Sequence, residues 1–357
     1  MKISRKHARL SKLTIGAVAV VALISGCSSA PMNDFVGKEI NGTCAEEAFT
    51  SEAPQGSVTV GYASRFGGPV VQWAEQEGCF AERRVDVEGV EIGGAEALAS
   101  LTNGAIDVYN STFTDAILSS TNSGFDMVIL ASLTGYTLEE LERAKQEPLY
   151  PDELLLQLAL ITSPESGISD WGDLEGKIIA TEALGDVQAL GTSIAATEYG
   201  ADSSLIEWRV LPGETRLGSL ERGEVDAIIV SSTLATEAMK AGMKMVGYPG
   251  AYYYSAGPAL VWVTTKATYD KKQSELMAFR ESVLEAQSFL ADSENYGDSF
   301  RKILTDFFQL DSGVAAATKM PNYWTEDMEE EYLVRIGKIL TSSGTIDETL
   351  RLPVIIN

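Results

Sequence analysis

The chain has 357 residues, with 51 acidic against 27 basic side chains and a formal charge of −24. So acidic a protein repels phosphate backbones, which excludes nucleic acid as a partner. The single histidine is His7, so past the first turn of sequence there is no imidazole. That excludes Ser-His-Asp and Cys-His catalysis and every histidine-based metal site, and with no D-x-D-x-D-G calcium loop neither metal nor cofactor is expected.

Lys2, Arg5, Lys6, Arg9 and Lys12 precede an apolar run from Leu13 to Ile24. The run is shorter than the ~20 residues that cross a bilayer. A basic start, an apolar middle and small residues at the end make a secretory signal over residues 1–26, removed from the mature protein. Its end, Ile24-Ser25-Gly26-Cys27, resembles the lipobox of bacterial lipoproteins. That resemblance implies cleavage before Cys27, a thioether lipid on its sulfur and an acylated amine. Two or three acyl chains anchor a protein to a lipid bilayer where one is marginal. Loss of the five basic residues moves the formal charge from −24 to −29.

Residues 27–56 read as the lipidated tether and a polar N-terminal arm. Cys44 and Cys79 form an even pair in an exported chain, which suggests a disulfide. Two separate thiols are the alternative; neither residue lies in a C-x-x-C. About 330 mature residues exceed the usual single domain, so two domains are expected.

Val58-Thr59-Val60-Gly61-Tyr62 alternates as a strand. Gly67-Gly68-Pro69 starts a helix in which Val70, Trp73, Ala74 and Glu77 recur at helical spacing, with Gly78 closing it. Val85 to Val90 is a second strand. A helix from Gly93-Gly94 to Thr102 closes at Asn103-Gly104, a third strand covers Ile106 to Tyr109, and after another helix a fourth covers Met127 to Leu133. This strict alternation predicts an α/β fold with a parallel sheet covered on both faces. Leu138 to Gln146 is charged and helical, and reads as part of a surface insertion, Tyr136–Tyr150, that breaks the rhythm. Leu154 to Ile161 is an apolar strand.

A second α/β unit follows. Its strands are Lys177–Thr181, Ile206–Leu211 and Asp226–Val230, and its helices are Asp186–Tyr199 and Glu214–Arg222. A further helix and strand reach Tyr248. Ala259 to Thr264 is a strand, and the remainder is mostly helical. The two units repeat: "GAEALASLTNGAID" (Gly94–Asp107) aligns without a gap to "GETRLGSLERGEVD" (Gly213–Asp226), 119 residues on, with six of fourteen positions identical. Both copies run into hydroxyl residues, Ser111 and Thr112 in one and Ser231, Ser232 and Thr233 in the other. Two similar lobes aiming strand ends at a shared cleft follow from this, since open α/β sheets bind ligands beyond those ends.

The stretches "VTVGY", "WAEQEGCFAERRVDVEGVEIGGAEALASLTNGAIDV", "GDLEGKIIA" and "LERGEVDAIIV" resemble the substrate-binding lipoproteins of ABC importers, in the branch that handles nitrate, sulfonates, taurine and thiamine precursors. The likeness runs over roughly residues 57–345. It implies a two-lobed class II periplasmic-binding fold, each lobe a mainly parallel sheet flanked by helices. Lobe one would be residues 57–162 and 258–357 and lobe two 163–257, joined by hinge crossovers near Thr162–Ile168 and Tyr253–Pro258. It implies an ABC permease as partner, uptake of a small-molecule ligand, a monomer, and residence on the extracytoplasmic face of the cell membrane.

Loops after strands supply the candidate ligand-binding residues: Tyr62, Arg65, Phe66, Gly94, Ser111, Thr112, Phe113 and Thr134 in lobe one, and Leu184, Gly185, Ser231 and Ser232 in lobe two. Glycines let a ligand approach helix N-termini, whose free N–H groups favour anions. Arg65 is the only basic residue in those loops and suits a carboxylate or sulfonate. Tyr62, Phe66, Phe113 and Tyr136 suit a planar ligand. The sequence leaves sulfonate, nitrate, carboxylate and pyrimidine open. With no nucleophile and base pair, the expectation is a solute receptor and not an enzyme; an enzyme or sensor lipoprotein on the same fold is the alternative.

Overall fold

In the computed structural model, which describes Cys44 and residues 55–62, 66–122, 124–146, 158–318, 320–346 and 350–356, two β-sheets are flanked by helices. The first lobe runs β1 (Gly56–Tyr62), α1 (Gly67–Gln76), α2 (Cys79–Glu82), β2 (Val85–Glu91), α3 (Gly94–Asn103), β3 (Val108–Thr112), α4 (Phe113–Asn122) and β4 (Met127–Tyr136). The second takes α5 (Leu138–Gln146), β5 (Leu158–Thr162), β6 (Ile178–Thr181), α6 (Val187–Glu198), β7 (Glu207–Val210), α7 (Gly213–Glu221), β8 (Ala227–Ser231), α8 (Ser232–Lys240), β9 (Lys244–Gly247) and α9 (Gly250–Tyr253). The chain then returns through β10 (Gly257–Thr265), α10 (Lys266–Lys271), α11 (Gln273–Ala291), α12 (Ser293–Asp306), α13 (Ser312–Ala317), α14 (Glu330–Ser342) and β11 (Val354–Ile355). Among the described residues, no helix is long and apolar enough to cross a membrane.

The six-stranded sheet has the order β2-β1-β3-β10-β4-β11 and the five-stranded sheet β7-β6-β8-β5-β9. Two strands run against the rest: β10 is antiparallel to β3 and β4, and β5 to β8 and β9. Neither follows from βα alternation. Each is the strand that enters its sheet from the other lobe, so it starts where its neighbours finish. The orders correspond strand for strand: β2, β1, β3, β10 and β4 match β7, β6, β8, β5 and β9.

The 119-residue repeat extends to hydrogen bonds. Thr59 N–H donates to Asp107 Oδ2 at 2.9 Å, and Asp107 N–H returns to Thr59 O at 2.7 Å. In lobe two Ile178 N–H donates to Asp226 Oδ2 at 2.8 Å, and Asp226 N–H returns to Ile178 O at 2.8 Å. The incoming strands match too: Thr264 Oγ1 donates to Asp107 O, and Thr162 Oγ1 to Asp226 O.

Both faces of the large sheet are buried, as expected for a sheet covered by helices. On β4, Val128 and Leu130 pack with α1 and α11 on one face, while Met127 and Ile129 pack with α4 and α14 on the other. The alternation of β-strand side chains puts them there. Trp262, fully buried on β10, donates to Gln287 Oε1 at 3.0 Å, and Gln287 Nε2 donates to Ser132 O at 3.0 Å, so this core polar group is satisfied. Cys44 and Cys79 are joined by a disulfide.

Two readings change, and one strand is new. β5 pairs with β8 and β9, so the first crossover lies before Leu158, not near Thr162–Ile168, and residues 158–162 belong to lobe two. α5 is not a surface insertion: Leu141 and Ala144 are buried in the lobe-two core, and only its charged face is wet. The two-residue strand β11 is too short to leave an alternating pattern. Cys27 and Arg65, and the 147–157 part of the apolar stretch before β5, lie outside the described residues.

Candidate functional site

The topology brings the strand ends that carry the candidate site to one place. β4 ends at Tyr136, beside the start of β10 at Gly257. β5 starts at Leu158, opposite Ser231 at the end of β8. Both crossovers therefore run between the carboxyl ends of the two sheets, which places those ends about one hinge. Ligands of open α/β sheets sit beyond such ends.

The hinge is aromatic. Tyr136 and Tyr254 lie with ring centroids 5.1 Å apart. Tyr253, fully buried, shares a 2.7 Å hydroxyl–hydroxyl bond with Thr114 in the first turn of α4, and its carbonyl accepts from Arg335 Nη1 of α14 at 2.7 Å. Burial pushes the Tyr253 phenol up to about 12. Thr112 caps α4, its Oγ1 accepting from Asp115 N–H at 2.9 Å. The Asp115 carboxylate is exposed, yet the surrounding protein raises its pKa, opposed by the bond to Thr112.

A segment with no pattern in the sequence closes this wall. Tyr323 pairs with Thr134 as an isolated bridge, Trp324 N–H donates to Leu133 O at 3.0 Å, and Tyr323 Oη donates to Phe66 O at 3.3 Å. The 320–326 stretch thus lies along the end of β4 and reaches the start of α1. Trp324 Nε1 is buried without a hydrogen-bond partner among the described residues, and so are Gln188 Oε1 and Thr192 Oγ1, one turn apart on α6.

The sequence candidates separate into walls and core. Ser111 and Thr112 are half-buried at the end of β3, Phe66 is half-buried at the start of α1, and Gly94 opens α3. Ser231 ends β8 and Ser232 starts α8. Tyr62 is core: it is 2 % exposed, edge-on to Phe308 at 6.1 Å, with its phenol pushed up to about 12 by burial and by Glu91. Phe113 is likewise core, packed with Ile117 and Val261, and Thr134 is buried under Tyr323. Aromatics at strand ends in this fold face inward because both sheet faces are covered. Leu184 is exposed, and Gly185 has φ +75 with Thr345 Oγ1 2.9 Å from where its Cβ would stand. The glycine therefore answers to a left-handed turn and a close neighbour from beyond α14.

Sequence reasoning missed Asp115, Trp324 and Arg216. Asp115 was masked by its role as third residue of a helix. Trp324 lies in an aperiodic stretch. Arg216 sits in the repeat, where its counterpart is the fully buried Ala97, and the departure from the repeat was its only signal.

A separate groove of about 640 Å³ runs between α6 and α14. Leu190, Ile194, Val334 and Ile339 supply its apolar lining, with Glu198, Arg335 and Lys338 among its charged residues. It follows helix flanks and contains none of the strand-end candidates, so it is a seam between the lobes.

Residues 157–294 match the NMT1/THI5-like family model. Among curated proteins no sequence matches the chain. Of solved structures, the chain is similar to the periplasmic aliphatic sulphonate binding protein SsuA from Escherichia coli, with TM-score 0.62 and 14 % identity over 82 % of this chain and 94 % of that one. The alkanesulfonate-binding protein SsuA from Xanthomonas axonopodis pv. citri, bound to MOPS, gives 0.58 and 14 % over 85 % and 99 %. The desulfurization enzyme DSZB gives 0.52 and 13 % over 83 % and 95 %. Over residues 157–294 the chain is thus similar to the NMT1/THI5-like family, and as a whole it carries the two-lobed periplasmic-binding fold.

Proposed function

We propose that the chain is an extracytoplasmic solute receptor that takes a small organic solute or anion between its lobes and delivers it to an ABC importer. The observation that carries this reading is the hinge: two crossovers leave and enter at the carboxyl ends of both sheets, so that closure brings those ends together. Hinge closure around a ligand is how such two-lobed folds act. The likeness to two sulfonate-binding proteins supports it. In this reading Cys27 bears the lipid and the arm tethers the receptor beside its permease. Ser111, Thr112, Phe66 and the α3 and α8 amino ends line the cleft, and Arg65 joins them from the loop after β1.

A catalyst is the second reading, favoured by the likeness to DSZB. It lacks an imidazole past His7, and turnover of a bound solute would be needed to sustain it.

A thermal-shift screen of the purified chain against sulfonates, carboxylates, nitrate and pyrimidines tests the receptor, because a solute that binds the native state raises the melting temperature. One class should stabilise saturably and be recovered unchanged. Recovery of a chemically altered solute moves the chain to the catalysts, and no stabilisation by any class removes the receptor reading. Cys27→Ala should release the chain from membranes; continued attachment overturns the anchor.

A further inference from the structure

Arg216, in the first turns of α7, is 3 % exposed. Its Nε donates to Leu211 O at 2.9 Å and its Nη1 to Ile229 O at 2.7 Å. Leu211 follows the end of β7, and Ile229 lies two residues from the end of β8. In the sheet β6 stands between those strands. The guanidinium therefore bridges the carboxyl end of β6, the place in a lobe where a ligand is expected.

Two carbonyl bonds use two of five N–H groups and supply dipoles, not charge. Among the described residues no carboxylate pairs with Arg216. Of the two acids that follow β6, Glu182 is exposed, and Asp186 is committed elsewhere: Oδ1 accepts from Ala189 N–H at 2.6 Å, and Oδ2 from Thr181 Oγ1 at 3.0 Å and Ala183 N–H at 3.2 Å. A buried charge without a counter-charge is costly. A chain with 51 acids to 27 bases had ample means to supply one and did not. In lobe one the same repeat position is Ala97, so the fold does not require the arginine.

We propose that Arg216 is the anion subsite of the lobe-two wall, and that the solute carries a carboxylate, sulfonate or phosphate group whose charge completes the guanidinium. The inference rests on the receptor reading above. The planar fork suits two oxygens of one such group. The net negative field of the protein opposes anions only at long range, since salt screens it beyond about 8 Å.

Melting temperatures of the purified chain are measured at constant ionic strength with ethanesulfonate, butanoate and methyl phosphate, and with the neutral ethyl methyl sulfone and butanamide. The expected result is a saturable rise of several degrees with at least one anion and none with its neutral counterpart. Arg216→Gln should weaken that anion at least tenfold, and Arg216→Lys should restore part of the loss. Should Arg216→Gln fail to fold, the conservative Arg216→Lys chain carries the test: anion affinity there equal to that of the native chain overturns the subsite, because a lysine cannot reproduce the planar fork. Neutral compounds that stabilise as well as anions, or an Arg216→Gln chain that binds the anion undiminished, overturn the subsite and leave the receptor standing. No shift from any of the five compounds, together with none in the wider screen, removes both.

Discussion

Asp107 and Asp226 hold the same place in the two lobes, 119 residues apart, each accepting a backbone N–H from the first strand of its unit. They differ in one partner: Lys272 Nζ reaches Asp107 Oδ2 at 2.8 Å, and no lysine does the same for Asp226 among the described residues. Charge-assisted hydrogen bonds of this kind contribute about 1.5–3 kcal/mol. Asp226→Asn should cost about 1–2 kcal/mol and Asp107→Asn about 2–3 kcal/mol. A double-mutant cycle with Lys272→Met, read by urea denaturation, should give a coupling of about 1 kcal/mol with Asp107 and none with Asp226. Equal coupling to both would mean the pairing contributes nothing.

That pair also shows how much of the fold the sequence carried. The Ser-Leu-x-x-Gly-x-x-Asp spacing was visible because each copy needs the same turn: Gly104 and Gly223 adopt φ +79 and +67, and the aspartate ties the next strand to the first. Helix ends and buried strands followed from such local rules. The antiparallel β5 and β10 did not, because direction in a sheet depends on where a strand comes from, which no local pattern records. Site residues were less legible for a related reason. Tyr62 and Phe113 stand beside the cleft in sequence but turn into the core, whereas Trp324 reaches the hinge from nearly 190 residues after Tyr136. Arg216 left no signal beyond its departure from the repeat, because what sets it apart is its bonds to Leu211 O and Ile229 O, carbonyls near the ends of two different strands.

The Cys44–Cys79 disulfide closes a loop with a separation of 35 residues. A cross-link of that span stabilises by about 2–4 kcal/mol, chiefly by restricting the unfolded chain. Cys79 begins α2, whose Cys79 O accepts from Ser282 Oγ at 3.0 Å and whose following Arg83 pairs with Glu285 at 2.7 Å. Cys44 is thereby tied, through Cys79, to an element held against α11. Cys79→Ser should lower the melting temperature by several degrees, and thiol titration of the denatured, unreduced chain should find neither cysteine free. Two titrating thiols would refute the bond.

The hinge tolerates little bulk. A Cβ on Gly135 would stand 2.6 Å from Gly257 O and 2.6 Å from the Trp324 ring. One of those neighbours is backbone, so relief requires the two crossovers to part. Gly135→Ala should cost about 2–3 kcal/mol, as overpacking does. Gly213, at the start of α7, has open space around the same position. Gly213→Ala should be neutral or stabilise by about 0.5 kcal/mol, because alanine narrows the unfolded ensemble. Urea midpoints of the two variants compare them directly, and similar values would deny the close approach at the crossovers.

Glu75, on α1, has its carboxyl raised from 4.5 to about 7, first by burial and then by the charge of Asp86. The native chain then binds more protons than the unfolded chain between those two values. Stability must fall as pH rises from about 4.5 to about 7, and stay level above that. The loss is on the order of 2–3 kcal/mol at pH 8. Glu75→Gln keeps the shape and removes the charge, so it should match the native melting temperature near pH 4.5 and exceed it at pH 8. Asp86→Asn should recover only the smaller part, because burial is the larger cause. A gap between Glu75→Gln and the native chain that does not change from pH 4.5 to 8 would show that the carboxylate ionises freely, and that α1 leaves it in contact with water.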